Sequence, residues 1–486
     1  MSSEGEWKGV AGFFCGETYE NPRRCGFFRG NVRIHRALPC AIGNALSGLH
    51  NSENVAIFLT SHSLTLSLSH SLSVSVMHLF REESGKMLSA LVRLFGLSQV
   101  EIAEDIVQDT LLAAYESWKI HGVPEQPRAW LYRTAKNKTI DFLRRERNFQ
   151  TKVAPAWTDM ARQNVAPDAW LDAFFLDDEI EDAQLRMMFA CCHPVIPFES
   201  QLVLMLRTLC GLSIREMAAA FLLPEDTVGK RLTRAKEKIR QERLLLEAPK
   251  GEALTERLDA VLQAVYLMFN EGYKSSTEAG IIRRDLCEEA LRLGGLLCRH
   301  PVSNIPKTHA LQALLCFQAS RFDARLAADG QIILLEHQDR GLWNRGMIAL
   351  GYEHMNQTTS DKVLSEYHIE AAIASYHASA PSFEKTNWKA IFYCYDVLLK
   401  ISPGPFVALN RAIALGYAEG PAAGIDALLK IEGLSQYYLY HAALGDFYAR
   451  NGAPDLAAAA YNRALGFVEL PAERQLLLRK LAQVTP

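Results

Sequence analysis

The stretch LCGLSIREMAAAFLLPEDTVGKRLTRAK, residues 209–236, decides the fold class of this chain. Ser213, followed three positions later by Glu216, forms a capping box, which predicts a helix that begins at about Ile214. The segment Leu222-Leu223-Pro224 predicts a turn, and Glu225 to Lys236 predicts a second helix. Two short helices joined by a tight turn are typical of a helix-turn-helix motif.

The second helix of this motif has an apolar face and a basic face. Val228, Leu232 and Ala235 recur at helical spacing, which predicts that they point inward. On the polar face we expect the DNA contacts of a recognition helix, made by Glu225, Thr227, Lys230, Arg231, Arg234 and Lys236. Helix pairs of this kind also occur in bundles that bind no DNA, so the motif needs a second observation beside it.

The segment PRAWLYRTAKNKTIDFLRR, residues 127–145, provides that observation because it interleaves aromatic, amide and basic side chains. Cations follow the backbone of an unpaired strand, aromatic rings accept unstacked bases, and an amide reads base edges. The candidate DNA contacts here are Trp130, Tyr132, Arg133, Lys136, Asn137, Arg144 and Arg145. The alternative is that Trp130 and Leu131 are core residues and that the others lie on a solvated surface.

An acidic helix precedes this segment. Ile102, Ile106 and Leu111 are predicted to pack inward, which leaves an acidic outer face. By itself such a face is typical of any solvated helix. Its outer side chains are predicted to be Glu101, Glu104, Asp105, Gln108 and Asp109.

Together these segments resemble the sigma-70 family, in its extracytoplasmic-function (ECF) branch. The run AEDIVQD at residues 103–109 and the Trp130–Arg145 helix resemble sigma region 2, and the helix-turn-helix resembles sigma region 4. The resemblance implies that Asp105, Gln108 and Asp109 dock on the clamp helices of the largest subunit of core RNA polymerase. It further implies that the 130–145 helix opens and reads a downstream promoter element, while the recognition helix contacts an upstream promoter element beside the polymerase flap.

The whole chain is predicted to be all-α, with two small helical bundles followed by a helical-repeat domain. Its net charge of −3, from 52 basic and 55 acidic residues, hides two strongly basic segments. The predicted organisation is residues 1–76 as a disordered or wrongly included segment before Met77, 77–149 as region 2, 150–179 as a linker, 180–247 as region 4, and 252–486 as a helical extension.

The extension carries a tetratricopeptide-like pattern near its end. Leu444 to Tyr448, Gly452, Ala457, Tyr461 and Ala464 follow the 34-residue period, with a looser copy at 408–429. Stacked repeats of this kind leave a concave face that takes a peptide or protein partner. We therefore expect a regulatory or interaction domain.

Several functional classes are disfavoured. No apolar run is long enough for a membrane-spanning helix, and the ten cysteines include no CxxC pair, so we expect a cytoplasmic protein with free thiols. Cys191, Cys192 and His193 resemble metal ligands, but adjacent helical residues diverge by about 100°, which favours packing over metal binding. We expect no metal, no cofactor and no catalytic residue.

Two other functions compete with a promoter-specificity subunit. One is a helix-turn-helix transcriptional regulator whose repeat domain senses a ligand or a protein. Such a regulator needs only one DNA-binding unit, so the second basic segment argues against it. The other is a repeat scaffold or an enzyme whose activity does not depend on residues 77–246.

Overall fold

The computed structural model describes residues 70–145, 174–221, 223–249, 251–273, 284–325, 327, 333–359, 364–468 and 471–485. These residues form helices and the turns and loops that connect them, without a strand among them, as the sequence predicts. The helices are α1 (His70–Phe95), α2 (Val100–His121), α3 (Pro127–Arg145), α4 (Asp177–Cys191), α5 (Phe198–Cys210), α6 (Ile214–Phe221), α7 (Glu225–Gln241), α8 (Glu252–Tyr273), α9 (Arg284–Arg299), α10 (Pro306–Ala319), α11 (Arg345–Asn356), α12 (Glu366–Ser379), α13 (Trp388–Ile401), α14 (Pro405–Glu419), α15 (Pro421–Leu429), α16 (Tyr438–Arg450), α17 (Pro454–Leu465) and α18 (Pro471–Val484). In the described part of the chain, no helix combines the length and the apolar run that crossing a bilayer requires.

The chain divides into two compact units. The first holds the described residues up to Tyr273 together with 284–304, and the second holds those from Ile305 onward. Helices α1 to α9 therefore belong to one unit, and α10 to α18 belong to the other. The predicted boundary between residues 247 and 252 falls inside the first unit.

Helix α1 begins at His70, before Met77, so the helical pattern starts earlier than the sequence predicts. The prediction for residues 1–69 lies outside the described residues, as does most of the predicted linker. Leu88, Leu91, Val92 and Phe95 are buried, as their spacing indicates. The helix ends at Phe95, and the following Gly96 has a positive φ of 87°, which suits a residue without a side chain.

The α4 to α7 bundle packs directly on α1. A Cβ atom added at Gly85 on α1 would lie 1.8 Å from the backbone oxygen of Leu209 on α5. Only glycine permits this close approach of two helix backbones. The two DNA-facing modules that the sequence predicts as separate bundles therefore share a packed boundary in this structure.

Helices α8 and α9 complete the first unit through polar contacts. On α9, Arg292 donates to the buried carboxylate of Glu289, with Nη2 and Oε1 2.7 Å apart, and to Gln184 of α4 at 3.0 Å. Arg81 of α1 pairs with Glu216 of α6 and with Asp285 of α9. The beginning of the predicted extension thus packs against both of the preceding helical bundles.

The second unit is built from successive helices that contact their neighbours in the chain. Glycines allow aromatic rings to pack closely between them: a Cβ atom at Gly445 would lie 2.5 Å from the Tyr461 ring, and one at Gly416 would lie 2.3 Å from the Phe447 ring. Ala457 and Ala464 are buried on the same side of α17 as Tyr461. Gly445, Ala457, Tyr461 and Ala464 of the tetratricopeptide-like pattern are therefore packing residues, and the repeat assignment itself stays a prediction.

Arg292→Met should lower the free energy of unfolding by about 3 kcal/mol, because it leaves the buried Glu289 carboxylate without its cation. Arg299→Met is the matched control on the same helix. Arg299 pairs with Glu181 at 2.9 Å, but both side chains are largely exposed, so the loss should be at most about 1 kcal/mol. Urea titration measures both values, and equal losses would contradict the assigned role of Arg292.

Candidate nucleic-acid and polymerase interface

Helix α3 has a basic outer face and an apolar inner face that packs against the rest of the first unit. Leu131, Ala135, Thr139, Ile140 and Leu143 are buried, which fixes the rotation of the helix. The same rotation leaves four of the predicted DNA contacts exposed, namely Arg133, Asn137, Arg144 and Arg145. Three cations and one amide are thereby placed on a single accessible helix, as binding to a nucleic-acid backbone requires.

Trp130 and Tyr132 are placed differently from these four residues. The Trp130 ring packs edge-on against Trp118 of α2, with ring centroids 5.6 Å apart, and it stays partly exposed. The Tyr132 hydroxyl donates to Glu83 of α1 at 2.5 Å and accepts from Arg128 Nε at 3.3 Å. Burial, together with the Glu83 carboxylate, raises the pKa of Tyr132 above its ordinary value. In this conformation Tyr132 anchors α3 to α1.

The recognition helix α7 begins as the sequence predicts, after a capped α6. The Ser213 backbone N–H donates to Glu216 at 2.8 Å, and the Glu216 backbone N–H donates to the Ser213 hydroxyl at 3.2 Å. The capping box is therefore confirmed. Val228, Leu232 and Ala235 are buried beneath α7, also as predicted.

The polar residues of α7 fall into two groups. Glu225, Lys230 and Arg234 are exposed and Thr227 is half-buried, so these residues form an accessible face. Lys230 keeps an exposed ion pair with Asp226 at 2.6 Å, which a phosphate can displace at little cost. Arg231 and Lys236 instead turn toward neighbouring helices of the first unit.

Arg231 pairs with Glu199 at the start of α5, with Nη2 and Oε2 3.1 Å apart. Lys236 pairs with Glu104 of α2, with Nζ and Oε2 2.6 Å apart, and only 13% and 11% of the two side chains are exposed. These two predicted DNA contacts are thus engaged within the protein in this conformation. Sequence reasoning missed the Lys236 contact, because nothing in the sequence pairs a residue of α2 with one more than a hundred positions away.

Helix α2 carries the acidic face that the sequence predicts. Asp105, Gln108 and Asp109 are exposed, while Ile106 and Leu111 are buried. Partial desolvation raises the pKa of Asp105, and the neighbouring Glu104 and Asp109 raise it further. Asp109 also faces Lys138 of α3 at 4.0 Å. The face therefore has a concentrated negative charge that suits a cationic partner.

Cys191, Cys192 and His193 lie where α4 ends. Both thiols are buried, and Cys191 Sγ lies 3.4 Å from the Thr208 hydroxyl of α5. Burial raises the pKa of Cys191 to about 12. The His193 ring accepts from the Val195 backbone N–H at 3.2 Å. Both thiols are part of the packed interior, and the expectation that these residues bind no metal stays a prediction.

Two helices with accessible basic faces, beside one with an acidic face, are the arrangement expected of an all-helical protein that binds nucleic acid. Comparison with known proteins identifies its modules. Residues 79–149 match the family Sigma-70 region 2, and residues 186–239 match Sigma-70, region 4. The chain belongs to the ECF branch of the sigma-70 family of RNA polymerase sigma factors, whose members bind core RNA polymerase and promoter DNA and are not enzymes.

Individual relatives cover different parts of the chain. An uncharacterized protein of Rhizobium meliloti (strain 1021) is 35% identical over 398 residues, which are 81% of this chain and 92% of that protein. The ECF RNA polymerase sigma factor SigW of Bacillus subtilis (strain 168) is 27% identical over 150 residues, 30% of this chain and 78% of that protein. SigL, an ECF RNA polymerase sigma factor of Mycobacterium tuberculosis (strain ATCC 25618 / H37Rv), is 28% identical over 155 residues, 32% of this chain and 80% of that protein.

The extension has a separate match. Residues 257–359 match a family of unknown function, DUF6596, which begins within α8 of the first unit and continues into the second. No solved structure gave a significant match to the chain.

Gly229→Ala should raise the free energy of unfolding by about 0.8 kcal/mol, because alanine is the better helix former. A Cβ atom at Gly229 would lie 3.9 Å from Ile214 Cδ1, which is an ordinary contact. Gly85→Ala should instead destabilise the chain, since its Cβ atom would overlap the Leu209 backbone. Urea titration of both variants checks this contrast, and a loss of stability in Gly229→Ala would show that α7 needs glycine there.

Proposed function

We propose that this sigma factor acts through three surfaces of its first unit. The α2 face of Asp105, Gln108 and Asp109 docks on the clamp helices of the largest polymerase subunit. The exposed face of α3 opens and reads the downstream promoter element. The α4 to α7 bundle lies beside the polymerase flap, with α7 in the major groove of the upstream element. The chain then works in the cytoplasm, needs no cofactor and has no catalytic residue of its own.

One observation carries this proposal. The two basic helices, α3 and α7, lie on the segments that match sigma regions 2 and 4, and each keeps exposed cations on its outer face. The competing function, a helix-turn-helix regulator, would use α7 and leave the cations of α3 without a role. Exposed Arg133 and Asn137 on α3 therefore favour a protein that also grips an unpaired strand.

We assign the DNA-bound roles of Trp130, Tyr132, Arg231 and Lys236 to a conformation that differs from this one. Trp130 is partly exposed, and the Tyr132, Arg231 and Lys236 groups would have to exchange an internal partner for DNA. Lys136 is half-buried on α3, and we assign its DNA contact to the same DNA-bound conformation. For the second unit we propose a regulatory or interaction role, with a peptide or protein partner on its helical-repeat surface.

Asp105→Asn combined with Asp109→Asn should weaken binding of the full chain to core RNA polymerase by about tenfold or more, because two charges of the docking face are removed. Glu125→Gln is the matched control, since Glu125 is exposed in the turn after α2 and is not part of the docking face. Fluorescence anisotropy with purified core enzyme measures the affinities. Equal affinity of the double variant and the control would contradict the assignment of this face.

Lys230→Gln combined with Arg234→Gln should reduce the salt dependence of binding to duplex DNA. The slope of log K against log salt should fall by about 0.9 for each lost phosphate contact. Lys430→Gln is the matched control, because Lys430 forms the same exposed i,i+4 pair, with Asp426, in the second unit. An unchanged slope in the double variant would contradict the assignment of α7 to the DNA interface.

A further inference from the structure

Two histidines meet between neighbouring helices of the second unit. His309 lies in the first turn of α10, and His354 lies in the last turn of α11. Their Nδ1 atoms are 2.9 Å apart, and their ring centroids are 5.1 Å apart with 36° between the ring planes. Sequence reasoning missed this contact, because the two residues are 45 positions apart and belong to no motif. We call these two residues the histidine pair.

Packing of α11 against α10 and α12 holds the histidine pair in place. A Cβ atom at Gly351 of α11 would lie 2.8 Å from Cε1 of Phe317 on α10, so any side chain there would push the ring away. Tyr352 packs edge-on against the same ring, with centroids 5.1 Å apart, and its hydroxyl donates to the carbonyl of Ser375 on α12 at 3.2 Å. The two imidazoles are therefore supported by packed helices and not by loops, as a preorganised site requires.

Both imidazoles are in the protonation state that binds a metal ion. His309 is buried, with 8% of the residue exposed, and His354 is half-buried. Burial lowers the pKa of both rings, and the nearby His309 lowers the pKa of His354 further. Both rings are therefore neutral at pH 7. A neutral imidazole has a nitrogen lone pair to offer to a metal ion, whereas an imidazolium has none.

Two arrangements account for the short distance between the Nδ1 atoms. In the first, one ring donates an N–H···N hydrogen bond to the other. In the second, both nitrogens bind the same metal ion. At metal–nitrogen distances of about 2.0 to 2.1 Å, the observed 2.9 Å corresponds to an N–metal–N angle of about 90°. A tetrahedral ion needs the nitrogens about 3.4 Å apart, so a movement of about 0.5 Å suffices for it. The pair is therefore close to a metal-binding geometry without any rearrangement of the helices.

We propose that the histidine pair binds a divalent transition-metal ion, such as zinc or nickel, through its two Nδ1 atoms. Neutral imidazole suits these ions, whereas magnesium and calcium prefer oxygen ligands. The remaining coordination positions are open to water or to a further side chain. An ion bound here ties the start of α10 to the end of α11 and so stabilises the second unit. The proposal departs from the expectation, drawn from the sequence, that the chain binds no metal, and it does not depend on the polymerase and DNA assignments.

Zinc binding is measured on the full chain, freed of metal with a chelator and carrying no polyhistidine tag, by competition with a fluorescent zinc chelator. His354→Gln is the test variant, because it removes one ligand at a half-buried position and keeps a polar side chain there. His337→Gln is the matched control, since His337 is an exposed histidine of the same unit. The other thiols and imidazoles of the chain are the same in all three proteins, so the difference between them isolates the histidine pair. Circular dichroism checks that each variant is folded.

We expect His354→Gln to bind zinc about tenfold or more weakly than the wild-type chain, because removing a ligand costs at least as much as removing the group that supports it. His337→Gln should bind as the wild type does. Zinc and nickel, but not magnesium, should raise the midpoint of thermal unfolding of the wild-type chain. Equal zinc affinity of the wild type and His354→Gln would overturn the proposal and leave the N–H···N hydrogen bond as the whole interaction.

A second measurement needs no variant and therefore holds even where His354→Gln does not fold. X-ray absorption of the wild-type chain loaded with one equivalent of nickel counts the imidazoles bound to the metal. Two imidazole ligands are expected, and a spectrum with none would overturn the proposal.

Discussion

The first unit depends on the packing of helix α1 against the region 4 bundle. At Gly85 the backbone of α5 approaches so closely that any side chain would separate the two helices. The same helix supports α2 and α3 through its apolar face and reaches α6 and α9 through Arg81. Since α2, α3, α4 and α5 all pack directly against α1, these contacts help to fix which charged side chains of the first unit face outward and which face each other.

The positive and negative segments of the chain form separate charged surfaces only when the helices are packed in this way. The chain is nearly neutral overall, yet its cations concentrate on α3 and α7 and its carboxylates on α2. Exposed members of these sets, such as Arg133, Arg234 and Asp109, are free to meet phosphate or a cationic protein surface. Glu104 and Lys236 instead pair with each other between α2 and α7.

Much of the fold and of the candidate site follows from local sequence signals. The capping box at Ser213 and Glu216, the buried faces of α3 and α7, and the all-helical class are predicted correctly because each depends on spacing within one or two helices. Long-range contacts leave no such signal. The sequence predicts Lys236 as a DNA contact and gives no reason to place it against Glu104, since that pair depends on how two modules pack. The sequence also predicts a domain boundary near residue 250. In the structure α8 and α9 belong to the first unit, because contacts between distant residues, such as that of Arg292 with Gln184, attach them there.

The most direct measurement of the central claim is run-off transcription with purified core RNA polymerase and the full chain, on templates recovered by chromatin mapping. The account predicts a transcript of defined start that requires both the chain and the core enzyme. Variants in which Arg133 and Asn137, or Lys230 and Arg234, are replaced should lose that transcript while still binding core enzyme. If no template yields a new transcript, although the chain is folded and binds DNA, the assignment of its two basic helices to promoter recognition is contradicted.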